Sequence, residues 1–290
     1  MMRGPLRHDA SPLVSADWLL EHASDPAVRI VDARWYLIGK RGEDEYAAGH
    51  LPGAVFAHLE RDLSSPKGSG PGRHPLPSAE AFSAVLARLG ITATTRVVAY
   101  DDAGGSIAAR VWWLLRHFGL RTGAVLDGGI GAWTRAGGAL TTEVPAIVPA
   151  ALLRLVARAD DVADKRAVDR LRTAPGALVL DARAAERFEG KSEPIDARPG
   201  HVPGARSMPF AGNLVAPGGR FLDRASLAKR YGEVGASSAE TIVCYCGSGV
   251  TACHDLLALS LAGRDDALLY EGSWSDWAAD ESLPAALGPA

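Results

Sequence analysis

The chain is written twice, and this duplication constrains its fold more than any other feature. Arg29-Ile-Val-Asp-Ala-Arg34 returns as Val179-Leu-Asp-Ala-Arg183, and Gly49-His-Leu-Pro-Gly-Ala54 returns as Gly200-His-Val-Pro-Gly-Ala205. Arg96-Val-Val-Ala-Tyr-Asp101 parallels Thr241-Ile-Val-Cys-Tyr-Cys246, and Leu126-Asp-Gly-Gly before Trp133 parallels Tyr270-Glu-Gly-Ser before Trp277. The order is kept and the offsets are about 144 to 151 residues. A period this long specifies two similar domains rather than a solenoid. We assign residues 1–140 to the first domain, 141–155 to a Pro- and Ala-rich linker, and 156–290 to the second.

Each half alternates short apolar runs with helical patterns. Residues 28–31, 96–100 and 124–126 read as strands in the first half, and 177–180, 241–245 and 267–270 in the second. Helices are predicted over 78–89 and 108–118, and over 223–231 and 252–261, with Ser15 as an N-cap ahead of Trp18. This alternation predicts an α/β fold in which each domain is a mainly parallel sheet flanked by helices. Ligands of such sheets gather at the carboxyl ends of the strands.

Cys246 falls at such an end. Gly247 and Gly249 follow it, with a helix beyond, so backbone N–H groups at the turn are expected to nest an anion and favour the thiolate. Both glycines are read as permitting positive φ. Cys244 and Cys253 read as small buried hydrophobes. Three cysteines in 290 residues make no disulfide framework, and no Cys-x-x-Cys or other metal pattern is present. A net charge of −3 gives no reason to expect nucleic acid or anionic membrane as a partner. The first ten residues lack an apolar leader and no run approaches a membrane span, so a cytoplasmic setting is the expectation.

The two halves, the Gly-His-x-Pro-Gly-Ala turns and Cys246-Gly-Ser-Gly-Val-Thr251 together resemble the tandem-domain rhodanese sulfurtransferases, and the loop is most similar to the 3-mercaptopyruvate type. The resemblance implies two rhodanese-like domains and a Cys246 persulfide that passes sulfur from a small-molecule donor to a thiol, cyanide or a thioredoxin-like acceptor, with no cofactor. It implies donor contacts from Arg187 and from the loop residues Gly247, Gly249, Val250 and Thr251. It also implies a relay of Ser248, His74 and Glu60. The family's second arginine is replaced by Ile195, and Arg198 is the nearest substitute in the chain. That departure keeps a thiosulfate donor as the alternative.

The first half carries Asp101 where Cys246 would stand, so it has no nucleophile. A phosphatase reading requires an arginine closing the loop, and Ala252 stands there instead. A non-catalytic docking or sensing module would be expected to lack Cys246. His50 and His201, repeated in both halves, read as structural, as do Asp32 and Asp181. Gly128-Gly-Ile-Gly131 lacks the full dinucleotide fingerprint. The Gly/Pro/Ser loop 66–77, with Lys67 and Arg73, is long enough to suggest a functional role.

Overall fold

The computed structural model describes residues 11–216 and 219–289; the N-terminal stretch read as lacking a leader lies outside them. Two compact units are present. One holds residues 11–63, 77–157 and 219–220, the other 64–76, 158–216 and 221–289.

The first unit carries β1 (Leu13–Val14), β2 (Val28–Asp32), β3 (Val55–Phe56), β4 (Arg96–Tyr100) and β5 (Gly123–Leu126). The second carries β6 (Val162–Ala163), β7 (Ala177–Asp181), β8 (Arg206–Ser207), β11 (Thr241–Tyr245) and β12 (Leu268–Tyr270). A two-stranded ribbon of β9 (Leu214–Val215) and β10 (Arg220–Phe221) lies between β8 and β11 in sequence. The five-stranded sheets run β1-β5-β4-β2-β3 and β6-β12-β11-β7-β8, with every pair parallel. The orders are the same when the halves are superimposed in sequence. In the register, Asp32 pairs with Tyr100 and Asp181 with Tyr245. Asp101 and Cys246 therefore leave their sheets at equivalent points.

The central strands β4 and β11 are buried nearly throughout, which is why they read as continuous apolar runs. Helices Ala108–His117 and Ala252–Ala262, which follow them, are buried along most of their length. Exposed helices are set by their caps. Ser15 accepts from Trp18 N (3.1 Å), Ser78 from Ala81 N (3.2 Å) and Asp223 from Ser226 N (2.8 Å), each worth about 1 kcal/mol.

The repeated turns share one internal scaffold. Arg34 donates to Asp32 (2.6 Å) and to the Gly49 carbonyl (2.8 Å); Arg183 donates to Asp181 (2.6 Å) and to the Gly200 carbonyl (2.7 Å). His50 stacks on Tyr46 with Nδ1 2.7 Å from its carbonyl, and His201 stacks on Phe188 with Nδ1 2.8 Å from its carbonyl. These histidines tie the turns to the preceding helices.

The units depart from the expected boundaries in two places. Residues 64–76 belong with the second unit, where Leu76 N donates to Glu271 (3.0 Å) and Arg73 N to Ser275 Oγ (3.1 Å). The stretch read as a linker is bonded into the first unit. Thr141 and His50 exchange backbone bonds of 2.9 Å, Ala150 N donates to Ala87 O (2.8 Å), and Leu153 N to Ser83 Oγ (2.8 Å). Among the described residues no helix is long and apolar enough to cross a membrane.

Candidate active site

Cys246 follows β11 directly and is buried. Its backbone is fixed from the turn after β12. Cys246 N donates to Ser273 Oγ (3.1 Å), Trp274 N to Cys246 O (2.9 Å), and Ser275 N to Gly247 O (3.0 Å). Ser273 takes φ +53°, the only positive φ outside glycine among the described residues. Its hydroxyl also donates to Tyr270 O (2.9 Å), so hydrogen bonds on both sides hold a strained residue beneath the cysteine.

The loop glycines serve different ends. Gly249 has φ +77°, and a Cβ there would lie 2.4 Å from the Glu271 carbonyl oxygen, so both conformation and space require glycine. Gly247 has no positive φ; its expected conformational role is replaced by a spatial one. A Cβ on Gly247 would meet Arg73 Nη2 at 3.0 Å and Arg187 Nη1 at 3.4 Å. Two guanidinium groups thus stand over the residue that follows the cysteine.

These arginines sit in a dense charge cluster. Arg187 donates to Glu193 (2.7 Å) and to Asp196 (3.1 Å), Arg183 also reaches Glu193 (3.2 Å), and Arg73 donates to Asp196. Burial pushes the Glu193 carboxyl up, but hydrogen bonds from Arg187 and from the Asp196 and Ile195 amides outweigh it, and its pKa falls below the ordinary value. For Asp196 burial dominates, and its pKa rises despite Arg73 and Arg187. Sequence reasoning found Arg187 but not Asp196, and it registered Arg73 only as a basic loop residue.

His74 Nδ1 and Ser248 Oγ, both buried, share a hydrogen bond of 2.8 Å. Glu60 lies in the first unit, where it accepts from Trp35 Nε1 (2.6 Å) and sits 2.9 Å from His58 Nδ1. Arg198 departs from its expected role. Its guanidinium donates to four backbone carbonyls, of Trp277 (3.3 Å), Ala278 (3.0 Å), Asp280 (2.9 Å) and Leu283 (3.1 Å). It caps the end of helix Ser273–Trp277 and ties down the C-terminal turn, so its donors are committed to the fold. Val250 is buried beside the cysteine, and Thr251 precedes helix Ala252–Ala262.

Cys244 and Cys253 are fully buried and not joined in a disulfide, Cys253 Sγ donates to Gly249 O (3.4 Å), and burial holds the Cys244 thiol well above its ordinary pKa. Trp274 and Trp277 are core residues whose indole N–H groups donate to Arg198 O (2.9 Å) and Pro284 O (2.8 Å). No cluster of three or more His, Cys, Asp or Glu side chains among the described residues is arranged to hold a metal ion.

The first unit shows what this loop geometry can hold. Asp101 accepts four backbone N–H bonds, from Ala103 (2.9 Å), Gly105 (2.8 Å), Ile107 (2.8 Å) and Ala108 (2.9 Å). Its backbone follows that of the Cys246 loop as far as Gly104 and then departs, Gly105 taking φ +91° where Val250 has no positive φ. Gly104 has φ +70°, Gly129 has φ +55° in the place of Ser273, and Ile130 N donates to Asp101 O (3.0 Å) as Trp274 N does to Cys246 O. Gly129 thus serves the packing of this loop, since a Cβ there would lie 2.1 Å from Asp101 O.

Comparison with known proteins identifies the family. The Rhodanese-like domain family matches twice, over residues 15–136 and 164–280. A Pseudomonas aeruginosa protein, provisionally named a 3-mercaptopyruvate sulfurtransferase, is 42% identical over 96% of this chain and 99% of its own length. A Mycobacterium tuberculosis protein, SseB, provisionally named a thiosulfate sulfurtransferase, is 41% identical over 92% of this chain and 93% of its own. The crystal structure of SseA from Escherichia coli, described as a 3-mercaptopyruvate sulfotransferase with the rhodanese fold, matches with a TM-score of 0.80 and 33% identity. It covers 92% of this chain and 100% of that one. With two matched domains, full-length relatives and one cysteine loop, the chain belongs to the rhodanese-like family, as a tandem-domain sulfurtransferase.

Proposed function

We propose that the chain transfers sulfur from 3-mercaptopyruvate to a thiophilic acceptor through a persulfide on Cys246. The observation that carries this reading is the place of Cys246 at the end of β11, equivalent to that of Asp101 after β4, whose carboxyl accepts four N–H bonds. In the Cys246 loop, the N–H groups from Gly247 to Thr251 would stabilise an anionic sulfur without reorganisation.

The Cys246 thiolate attacks the donor sulfur and the donor's C–S bond breaks, its electron pair staying on carbon as the pyruvate enolate. That carbon takes a proton as pyruvate leaves, and Cys246–S–SH remains. An acceptor thiolate or cyanide then attacks the outer sulfur and returns Cys246 as thiolate. The enolate needs a proton source near the loop, and the Ser248–His74 pair supports that role. Glu60, whose carboxylate accepts from Trp35 Nε1, is the third member we assign to this relay. The acceptor we favour is a thiol or a thioredoxin-like dithiol.

A thiosulfate donor is the second reading, favoured by Ile195 in the place of the second arginine. Sulfite leaves without needing a proton on carbon, so the two donors place different demands on His74. We expect kcat/KM to favour 3-mercaptopyruvate when both donors are assayed with one acceptor. His74→Gln should lower kcat for 3-mercaptopyruvate by about 100-fold and affect thiosulfate less. A large preference for thiosulfate, with His74→Gln equally harmful to both, would overturn the donor assignment.

A further inference from the structure

We propose that Arg73 and Arg187 together form the site's anion-binding pair, and that Asp196 is a built-in counter-ion which the donor's carboxylate displaces. This assignment rests on the sulfur-transfer reading and specifies how the donor is held.

Ile195 removes one positive charge that the family pattern supplies from the segment after Glu193-Pro194. Arg73 restores it from elsewhere in the chain. It comes from the 64–76 segment, which belongs to the second unit and is pinned there through Arg73 N to Ser275 Oγ and Leu76 N to Glu271. Both guanidinium groups lie within van der Waals reach of a side chain built on Gly247, which places them beside the reacting cysteine. Arg183, by contrast, is spent on Asp181, Glu193 and the Gly200 carbonyl.

Charge balance assigns the role of Asp196. Arg73, Arg183 and Arg187 face Asp181, Glu193 and Asp196, so the cluster is neutral before a donor arrives. A monoanionic donor leaves an excess negative charge in a poorly solvated place unless one carboxylate withdraws or takes a proton. Asp181 is locked in the turn scaffold, and Glu193 accepts from two arginines and two backbone amides. Asp196 contributes its carboxylate only to Arg73 and Arg187 among the hydrogen bonds observed, so it is the member free to yield both arginines at once. Burial already favours its protonated form. Arginine forks suit the exchange of one carboxylate for another, since both ligands present the same pair of oxygens.

The test separates charge recognition from sulfur chemistry by comparing 3-mercaptopyruvate with its methyl ester, which keeps the reacting thiol and removes the anion. Arg73→Ala should cut the kcat/KM preference for the acid over the ester by about 10- to 100-fold, the loss of one charge-assisted contact. Asp196→Asn removes the competing charge while keeping the shape, and should lower KM for the acid several-fold. Calorimetric binding of pyruvate to Cys246→Ala, with and without Arg73→Ala, reads the anion pair without any turnover. Pyruvate should bind the single variant and lose at least tenfold in affinity in the double variant. An unchanged acid-to-ester ratio in Arg73→Ala would overturn the assignment, as would Asp196→Asn failing to lower KM for the acid. If neither donor yields a persulfide but pyruvate binding still depends on Arg73, the reaction assigned above fails and the anion pair stands.

Discussion

The loops at Asp101 and Cys246 begin on one backbone and put it to two uses. Both leave the central strand at the same register, turn on a glycine of φ +70° or +77°, and are held by a backbone bond from the turn after the next strand. In the first, a carboxylate fills the nest of N–H groups and completes it. In the second, a thiol occupies that position and two arginines stand over the next residue. The place for such a nest, at the end of the central strand, is therefore a property of the fold. Reactivity is added by the residue placed at its mouth and the charges gathered beside it. Where Asp101 fills the nest, its carboxyl is part of the folded structure; at Cys246 the same place holds the sulfur that the proposed cycle loads and unloads.

The comparison predicts opposite outcomes for the same substitution. Cys246→Ala should abolish sulfur transfer, by at least about 10³-fold, and cost about 1 kcal/mol or less in stability. Asp101→Ala should leave up to four buried N–H donors without their acceptor and cost at least about 3 kcal/mol, with turnover per folded molecule retained. Turnover assays paired with urea unfolding check both. If Asp101→Ala unfolds no more easily than the parent, the carboxylate does not complete its loop and the two loops cannot be compared as nests.

A smaller effect tests whether the Cys246 loop tolerates any change of path. Gly249→Ala forces a side chain into φ +77° and to 2.4 Å from the Glu271 carbonyl oxygen. We expect a loss of about 2 kcal/mol or more and a fall in persulfide formation, because the Ser248 and Val250 amides would be re-aimed. Gly247→Ala should differ in kind. It meets the arginine side chains rather than backbone, so its cost should fall on donor KM more than on stability. Equal losses of stability from the two substitutions would show that Gly247 is also required by the backbone.

Much of this was legible in the sequence, for physical reasons that also mark where legibility ends. Strands β4 and β11 are buried runs of five residues between helices, and they were readable to within a residue. The edge strands β1, β3, β6 and β8 are two residues each, too short to carry any periodicity, and were missed. The cysteine loop is local and was read as a site. Asp196 and Arg73 meet across 123 positions, and no local pattern announces such a pairing. Arg198 misled for the converse reason. Its proximity in sequence to Glu193 suggested the anion site, while its partners are carbonyls about 80 residues further along the chain.

Per pH unit, the smallest expected effect sharpens the comparison one turn beyond the loops. The helices that follow bury ionisable groups of opposite sign at the matching position, Arg110 in the first unit and Asp255 in the second. Arg110 donates to the Leu63 carbonyl (3.4 Å). Asp255 Oδ1 accepts from Asn213 Nδ2 (2.7 Å), and Oδ2 has no hydrogen-bond partner. Burial, opposed by Asn213 and Tyr231, pushes the Asp255 carboxyl up to about 8. The folded state therefore holds a proton there that the unfolded chain releases near pH 4. Between those values the native state binds more protons, so this carboxyl makes stability fall as pH rises, by up to about 1.4 kcal/mol per pH unit. Asp255→Asn should flatten that slope in urea unfolding measured from pH 5 to pH 8, with the gain over the parent largest at the alkaline end. A parallel slope in both proteins would mean that Asp255 is already charged in the fold, paired through the Arg230–Asn213 contact at 3.2 Å. The two helices would then each bury a charge.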